Sequence, residues 1–486
     1  DKKTRLLHLD LLQPLVMQNT AAGTRIGNAG GPLATLNISD IQLGWFSAFV
    51  PDTTLRGKLQ RADFTLAAEG QGVATLTAGK PERLDNVTIT GPDGPMLKDV
   101  AISVRPSIRL APDGTGITYK DLNVTGQKQQ LLAASGALTL PGAADKPLLA
   151  EGQLNMDVQA FSRQPVVARA LQGSIEAPLW LEANYKLAQG ASSIDLSRLS
   201  ANLLYADKQP RISLQADSNV RVRTRLGGRQ SELGRARGKV TLTVANLTPE
   251  PFAAILAANG LTIADANGKA VLSSDGKSLR IDTIEPFIVK GAVLKTGDKQ
   301  VLQSFTLTAD SETVMQGDTL HAKLKQFNIA FDKDKGKPAL DADVDVILKG
   351  RGENTWVENL TANIKILLPA LLDQPAILPG HGLTAGELIS VTTLDSSGKL
   401  DSTTRVQGLK SGDPLPLELL EIQVGGQLDE NGNFNISAPI STRGKSGESD
   451  LQIKAVHTRK QGEHDEIISS IDSGVFYLND ILNTLK

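Results

Sequence analysis

The sequence predicts a mainly β protein, an elongated antiparallel sheet curled into a hydrophobic groove, with a few short helices. Three observations predict it. Apolar and polar residues alternate in segment after segment from about residue 55 to residue 456, the pattern of strands buried on one face only. Short signals of Pro, Asp, Asn, Ser and Gly separate the segments, and these are the residues that tight hairpins demand. Helical periodicity is scarce, so the helical crossovers that parallel strands need are missing.

In chain order, residues 6–17 are Leu-rich with a helical spacing that Pro14 interrupts, a weak helix. Trp45, Phe46 and Phe49 place three of the 18 aromatic residues within five positions. They are candidates for membrane contact, since Trp and Phe insert into interfaces; packing at the end of the groove is the plainer reading. Pro92-Asp93-Gly94 and Pro112-Asp113-Gly114 read as hairpin turns. Period-two runs then put Leu181, Ala183, Leu203, Val222 and Leu242 on an apolar face. Arg221, Arg223 and Arg225 alternate with Val220, Val222 and Thr224, within a basic stretch that continues to Lys239. They read as a contact for anionic lipid headgroups or as the wet side of a strand. Thr248 as an N-cap, a proline in the first turn and Gly260 past the end predict a short helix near mid-chain.

Beyond it, Asn267-Gly268, Asp275-Gly276, Ser397-Gly398 and Asn431-Gly432 read as further turns. The runs between them put Ala342, Val344, Val346, Ala362, Ile364, Ile366 and Ile453 on the apolar face. Asp341, Asp343 and Asp345 fall on the other side. Alternate strand residues stand about 6.6–6.8 Å apart, too far for all three to hold one calcium ion at about 2.4 Å. Residues 366–378, with two prolines, read as a strand end and a loop. Residues 467–485 carry a helical spacing, which Gly474 divides, in an alternative reading, into a strand and a short helix. The expected organisation is residues 1–246 as the N-terminal part of the groove, 247–262 as helical punctuation, and 263–486 as the C-terminal part with a terminal helix.

About twenty one-sided strands with almost no helix to cover them must bury their faces somewhere. An open sheet rarely exceeds about ten strands without curling or splitting. Curling along its length buries the face partly against itself and partly against a ligand. At about 4.8 Å per strand the trough would be on the order of 100 Å long.

Several segments resemble the AsmA-like and TamB-type envelope proteins. Leu122-Asn-Val-Thr-Gly126, followed by Leu131-Leu-Ala-Ala-Ser-Gly136-Ala-Leu-Thr-Leu140, is similar to that family's recurring strand, turn and apolar strand, and Leu149-Ala-Glu-Gly152-Gln-Leu154-Asn-Met156 repeats its second half. Ser470-Ile-Asp-Ser-Gly474-Val-Phe-Tyr-Leu-Asn-Asp480-Ile-Leu482 is similar to the family's terminal phrase. The resemblance covers about three-quarters of the chain. It implies a bacterial periplasmic protein of outer-membrane biogenesis that shields phospholipid or other acyl chains in an apolar β-groove. It also implies contact with inner and outer membranes, envelope partners at the groove ends, and an inner-membrane anchor in a segment absent from this sequence.

Lys and Arg number 51 against 53 Asp and Glu, a formal charge of −2. That leaves no surplus for gripping a phosphate backbone, so nucleic acid is not an expected partner. The absence of cysteine excludes disulfides, thiolate metal sites and thiol catalysis. The five histidines are scattered, and no phosphate-binding loop, nucleophile elbow or zinc-protease motif is present. The expectation is a protein that is not an enzyme and needs no cofactor or metal. Three Trp and four Tyr are few for a carbohydrate-binding protein that stacks sugars on aromatic rings. A structural or adhesive β-solenoid is the competing class, and the irregular turn spacing weighs against its regular rungs.

Overall fold

The computed structural model describes residues 6–20, 23–50, 52–143, 146–171, 175–190, 192–224, 231–334, 337–350, 355–412, 417–428, 433–458, 466–473 and 477–484. Strands make up 71% of the protein and helices 9%, so the chain is mainly β. Twenty-seven strands belong to one antiparallel sheet, and a separate hairpin pairs Met17–Thr20 with Gly23–Ile26. The strands are more numerous and longer than the alternation alone suggested. Ser278–Thr296 runs for 19 residues because bulges let it change partners along its length.

The turn chemistry closes most hairpins where expected. Pro92-Asp93 and Pro112-Asp113 each separate paired strands. At Asp275-Gly276 the carboxylate accepts the backbone N–H groups of Lys277 and Ser278, both at 2.8 Å. At Ser397-Gly398 the Asp395 carboxylate accepts those of Ser397 and Lys399, and Gly398 takes φ +81°, a conformation that favours glycine. Asn267-Gly268 is not a turn. It lies inside the strand Asp265–Asp275, at a register shift where Gly268 leaves room for Phe287. Asn431-Gly432 lies outside the described residues.

Residues 6–17 are not a helix. Leu7–Leu11 is a strand paired with Gly31–Gln42, and its Leu7, Leu9 and Leu11 share one face. The mid-chain helix is present as a turn of 3-10 helix, Glu250–Phe252, and the α-helix Ala253–Ala258. The C-terminal stretch forms the strand Glu466–Ser473 and the helix Leu478–Thr484, the divided reading. The segment following residue 367 is a short helix, Leu368–Leu372, started by Pro369, where a loop was expected.

The chain forms two compact units, Asp1–Leu242 with Glu250–Ala258, and Thr243–Pro249 with Asn259–Lys486. Each unit repeats one layout. In the first, the strand Leu148–Asp157 runs into the helix Val158–Ser162, whose first turn is capped by the Asp157 carboxylate accepting Ala160 N–H at 2.8 Å. Gln164, followed by Pro165, then accepts the backbone N–H of Lys98 at 2.9 Å. In the second, the strand Trp356–Leu367 runs into Leu368–Leu372, and Gln374, followed by Pro375, accepts the backbone N–H of Gln303 at 2.8 Å. The cores correspond as well. Val100, two residues past Lys98, packs with Val87, Leu131 and Ala160, while Phe305, two residues past Gln303, packs with Ala292, Phe331 and Ala339.

Candidate functional site

In the first unit, the register aligns side chains of successive strands into rows on one face. Ile102, Val124, Leu132, Met156, Leu181, Leu203 and Ile212 stand opposite one another in sequence across seven strands. Leu122, Ala134, Leu154, Ala183, Ala201 and Leu214 form a second row. Between that row and a third, Ile117, Leu138, Ala150 and Leu187, lie Tyr119, Gly136, Gly152 and Tyr185. Their order is set by a bulge at Lys120 and Asp121 that returns both Tyr119 and Leu122 to this face.

The second unit builds the same kind of face. Ile329, Leu340, Ile366, Leu388, Val406 and Leu420 form one row, and Ala322, Val346, Leu360, Leu394 and Leu400 another. Two hydroxyl pairs interrupt it, Ser390 with Thr404 at 2.9 Å and Thr392 with Ser402 at 2.7 Å. Each pair shares one hydrogen bond across neighbouring strands.

The opposite face is wet and paired. In the second unit Asn363 donates to Asp343 at 2.9 Å, His321 and Lys323 flank Asp345, Lys365 meets Glu387 at 2.6 Å, and Arg405 meets Glu421. Lys365 and Gln407 hold the Glu387 carboxyl below its ordinary range, and Arg405 and Gln423 do the same for Glu421. The charges on this face bond one another.

The apolar face lacks such partners. Most of its strand residues are half-buried rather than buried. Among the described residues, the buried apolar clusters are small, Val87, Val100, Leu131 and Ala160 in the first unit and Ala292, Phe305, Phe331 and Ala339 in the second. The accessible surface is 28519 Å². A compact monomer of this size exposes about 17,000 Å², and two compact halves about 21,000 Å². Short helices pack against the core of each unit, through Ala160 and Phe161 in the first and Ala370 in the second.

No family model, curated protein or solved structure matches the chain. The site therefore rests on geometry alone.

The register brings Leu181, Ala183, Leu203 and Val222 together on the face of the first unit, Val222 opposite Ile194. Leu242 is half-buried on the strand Ser231–Leu247. In the second unit Ala342 faces Ile364, Val344 faces Ala362, Val346 faces Leu360, and Ile366 faces Leu340. Ile453 stands between Ala438 and Ile471 five strands further on. Trp45 and Phe46, on the 3-10 helix Leu43–Phe49, are about half exposed, while the neighbouring Leu43 packs against the first unit's core. The Phe49 side chain lies outside the described residues. Arg221 forks onto the Asp195 carboxylate of the adjacent strand, an exposed pair. The side chain of Arg223 and all of Arg225 lie outside the described residues.

Sequence reasoning missed the tyrosine row and the hydroxyl pairs. Tyr119 and Tyr185 are 66 positions apart, and only the strand register reveals that they meet. Among the described residues, no group of three or more His, Cys, Asp or Glu could hold a metal, and no helix is long and apolar enough to cross a membrane.

Proposed function

We propose that the apolar face of each unit binds the acyl chains of phospholipid or another acyl lipid, and that the protein carries lipid between bacterial envelope membranes from the periplasm, as the resemblance to AsmA-like and TamB-type proteins implies. The observation that carries this reading is the combination of ordered apolar rows with the incomplete burial of the face they form. Protein side chains leave that face half exposed, and exposed apolar area costs about 25 cal/mol per Å². Five strands at about 4.8 Å spacing offer a track of about 19 Å, close to an extended acyl chain. Each methylene withdrawn from water onto it contributes about 0.8 kcal/mol. The paired charges of the other face keep that side soluble.

The test is lipid carriage by three variants at equal folded content. Val344→Asp and Ile364→Asp place a carboxylate within the apolar rows, where an unpaired charge costs several kcal/mol, and should bind less fluorescent phospholipid. Asp343→Asn lies on the wet face and keeps its Asn363 neighbour, so it should bind as the parent does. Equal binding by all three would remove the face from the function and favour a purely structural sheet.

A further inference from the structure

The tyrosine row of the first unit sets polar groups among its apolar rows. Gly136 and Gly152 face each other on neighbouring strands, and Tyr119 and Tyr185 stand on the two strands that flank them. Both rings lean inward over the glycines, and their hydroxyls meet at 3.1 Å. The fit is close. A Cβ on Gly136 would sit 2.5 Å from the Tyr119 hydroxyl, and one on Gly152 would sit 2.9 Å from the Tyr185 hydroxyl. Rings that cover strand glycines are a known stabilising device, and phenylalanine would provide it equally well. Here the chain instead spends two of its four tyrosines and sets two hydroxyls amid Leu122, Ala134, Leu154 and Ala183 on one side and Leu138 and Leu187 on the other.

Two phenols carry two protons and share one hydrogen bond. Among the described residues each hydroxyl has only the other as partner, so one O–H donor beside the apolar rows remains open to water or to a ligand. A ligand that is apolar along its length and offers a neutral acceptor at one point meets both demands. Burial and the partner hydroxyl push the Tyr119 phenol up to about 12, so this phenol stays protonated at neutral pH and offers a cationic or metal ligand no phenolate.

We propose that the Tyr119–Tyr185 pair is a hydrogen-bonding station for the ester carbonyl of an acyl-ester lipid lying on the apolar face of the first unit. The proposal rests on the acyl-chain reading above and adds the ligand's linkage chemistry and its register along the face. One phenol donates to the other, and the second donates to the carbonyl. A lipid whose chains are joined through ethers fills the same rows but leaves the donor unmet.

The experiment compares a fluorescent diester phosphatidylcholine with its diether analogue, bound to the parent, to Tyr119→Phe/Tyr185→Phe, and to Asp343→Asn on the wet face of the second unit. The parent should hold the diester about three- to tenfold more tightly, the worth of one neutral hydrogen bond. The tyrosine variant should lose that preference while binding the diether as the parent does, and the second-unit variant should keep it. A parent without preference, or a preference that survives in the tyrosine variant, overturns the station while leaving acyl binding intact. If neither lipid binds the parent, the acyl reading itself fails. Should the pair serve only to cover the glycines, Tyr→Phe would be silent in every arm and Tyr119→Leu alone would lower stability.

Discussion

A methyl group on Gly136 would land 2.5 Å from the Tyr119 hydroxyl and 2.6 Å from the Glu151 carbonyl oxygen. The second contact is backbone and cannot swing away, so Gly136→Ala should destabilise the first unit by about 1–3 kcal/mol, read as a shift in denaturation midpoint. Gly79→Ala, with no heavy atom within 4 Å of its new Cβ, should stay within about 0.5 kcal/mol. Equal effects would mean that the glycine pair is not a packing constraint. The tyrosines also make a spectroscopic prediction. Burial first and the Tyr185 hydroxyl second push the Tyr119 phenol up to about 12, so absorbance at alkaline pH should show a late tyrosine titration. Because this folded value lies above the ordinary ~10, the associated stability is fully present below pH ~10 and is lost as pH rises towards 12. Tyr185→Phe should bring the late titration part of the way down, and an unchanged curve would contradict the shared hydrogen bond. No sequence signal marks this pair. Tyr119 and Tyr185 read as ordinary members of alternating strands until register is fixed, and register depends on bulges such as Lys120-Asp121 that alternation does not encode.

The short helices were legible in proportion to their punctuation. Ala253–Ala258 follows an N-cap and prolines and was anticipated, whereas Val158–Ser162 and Leu368–Leu372 are five residues each, too brief for a periodic stripe. At residues 6–17 the leucines satisfy helical and alternating spacing at once, and pairing with Gly31–Gln42 decides for the strand. The two five-residue helices depend on the Gln-Pro junctions that follow them. Gln374 is fully buried, accepting Gln303 N–H and donating to the Ala370 carbonyl at 2.8 Å. Gln374→Ala leaves both backbone groups without their partner, so a loss of about 1–3 kcal/mol for each is expected. Gln164→Ala removes the bond to Lys98 and should cost less. Chemical denaturation distinguishes the two, and a silent Gln374→Ala would show that the junction carries no weight. On the wet face the strands are joined by pairs such as Lys365–Glu387 and Arg405–Glu421, whose carboxyls titrate low. A depressed folded value contributes stability that is present above ~4.3 and lost as pH falls through the lower folded value. Melting temperature should therefore hold to about pH 5 and decline below it, less steeply in Glu387→Gln/Glu421→Gln.

At the scale of the whole molecule, the fold class was legible because a period of two survives in nearly every strand, and so was the apolar face, which needs only that parity. A partly buried face has calorimetric consequences. Folding that buries little apolar area per residue should give an unfolding heat capacity below the usual ~12–15 cal/mol/K per residue, and added phospholipid should raise the melting temperature by binding only the folded form. A normal heat capacity together with indifference to lipid would argue for a packed interior. The order of the strands has a different consequence. Nearly every strand pairs with its neighbour in sequence, so contacts close over short loops and contact order is low for a β protein. Folding can start at any hairpin and extend in either direction, without waiting for distant segments to find each other. Growth from the ribosome or an export channel would add strands to an edge already formed. Evolution can lengthen or shorten the sheet by whole hairpins without rethreading the rest, which makes its span a quantity set by counting turns.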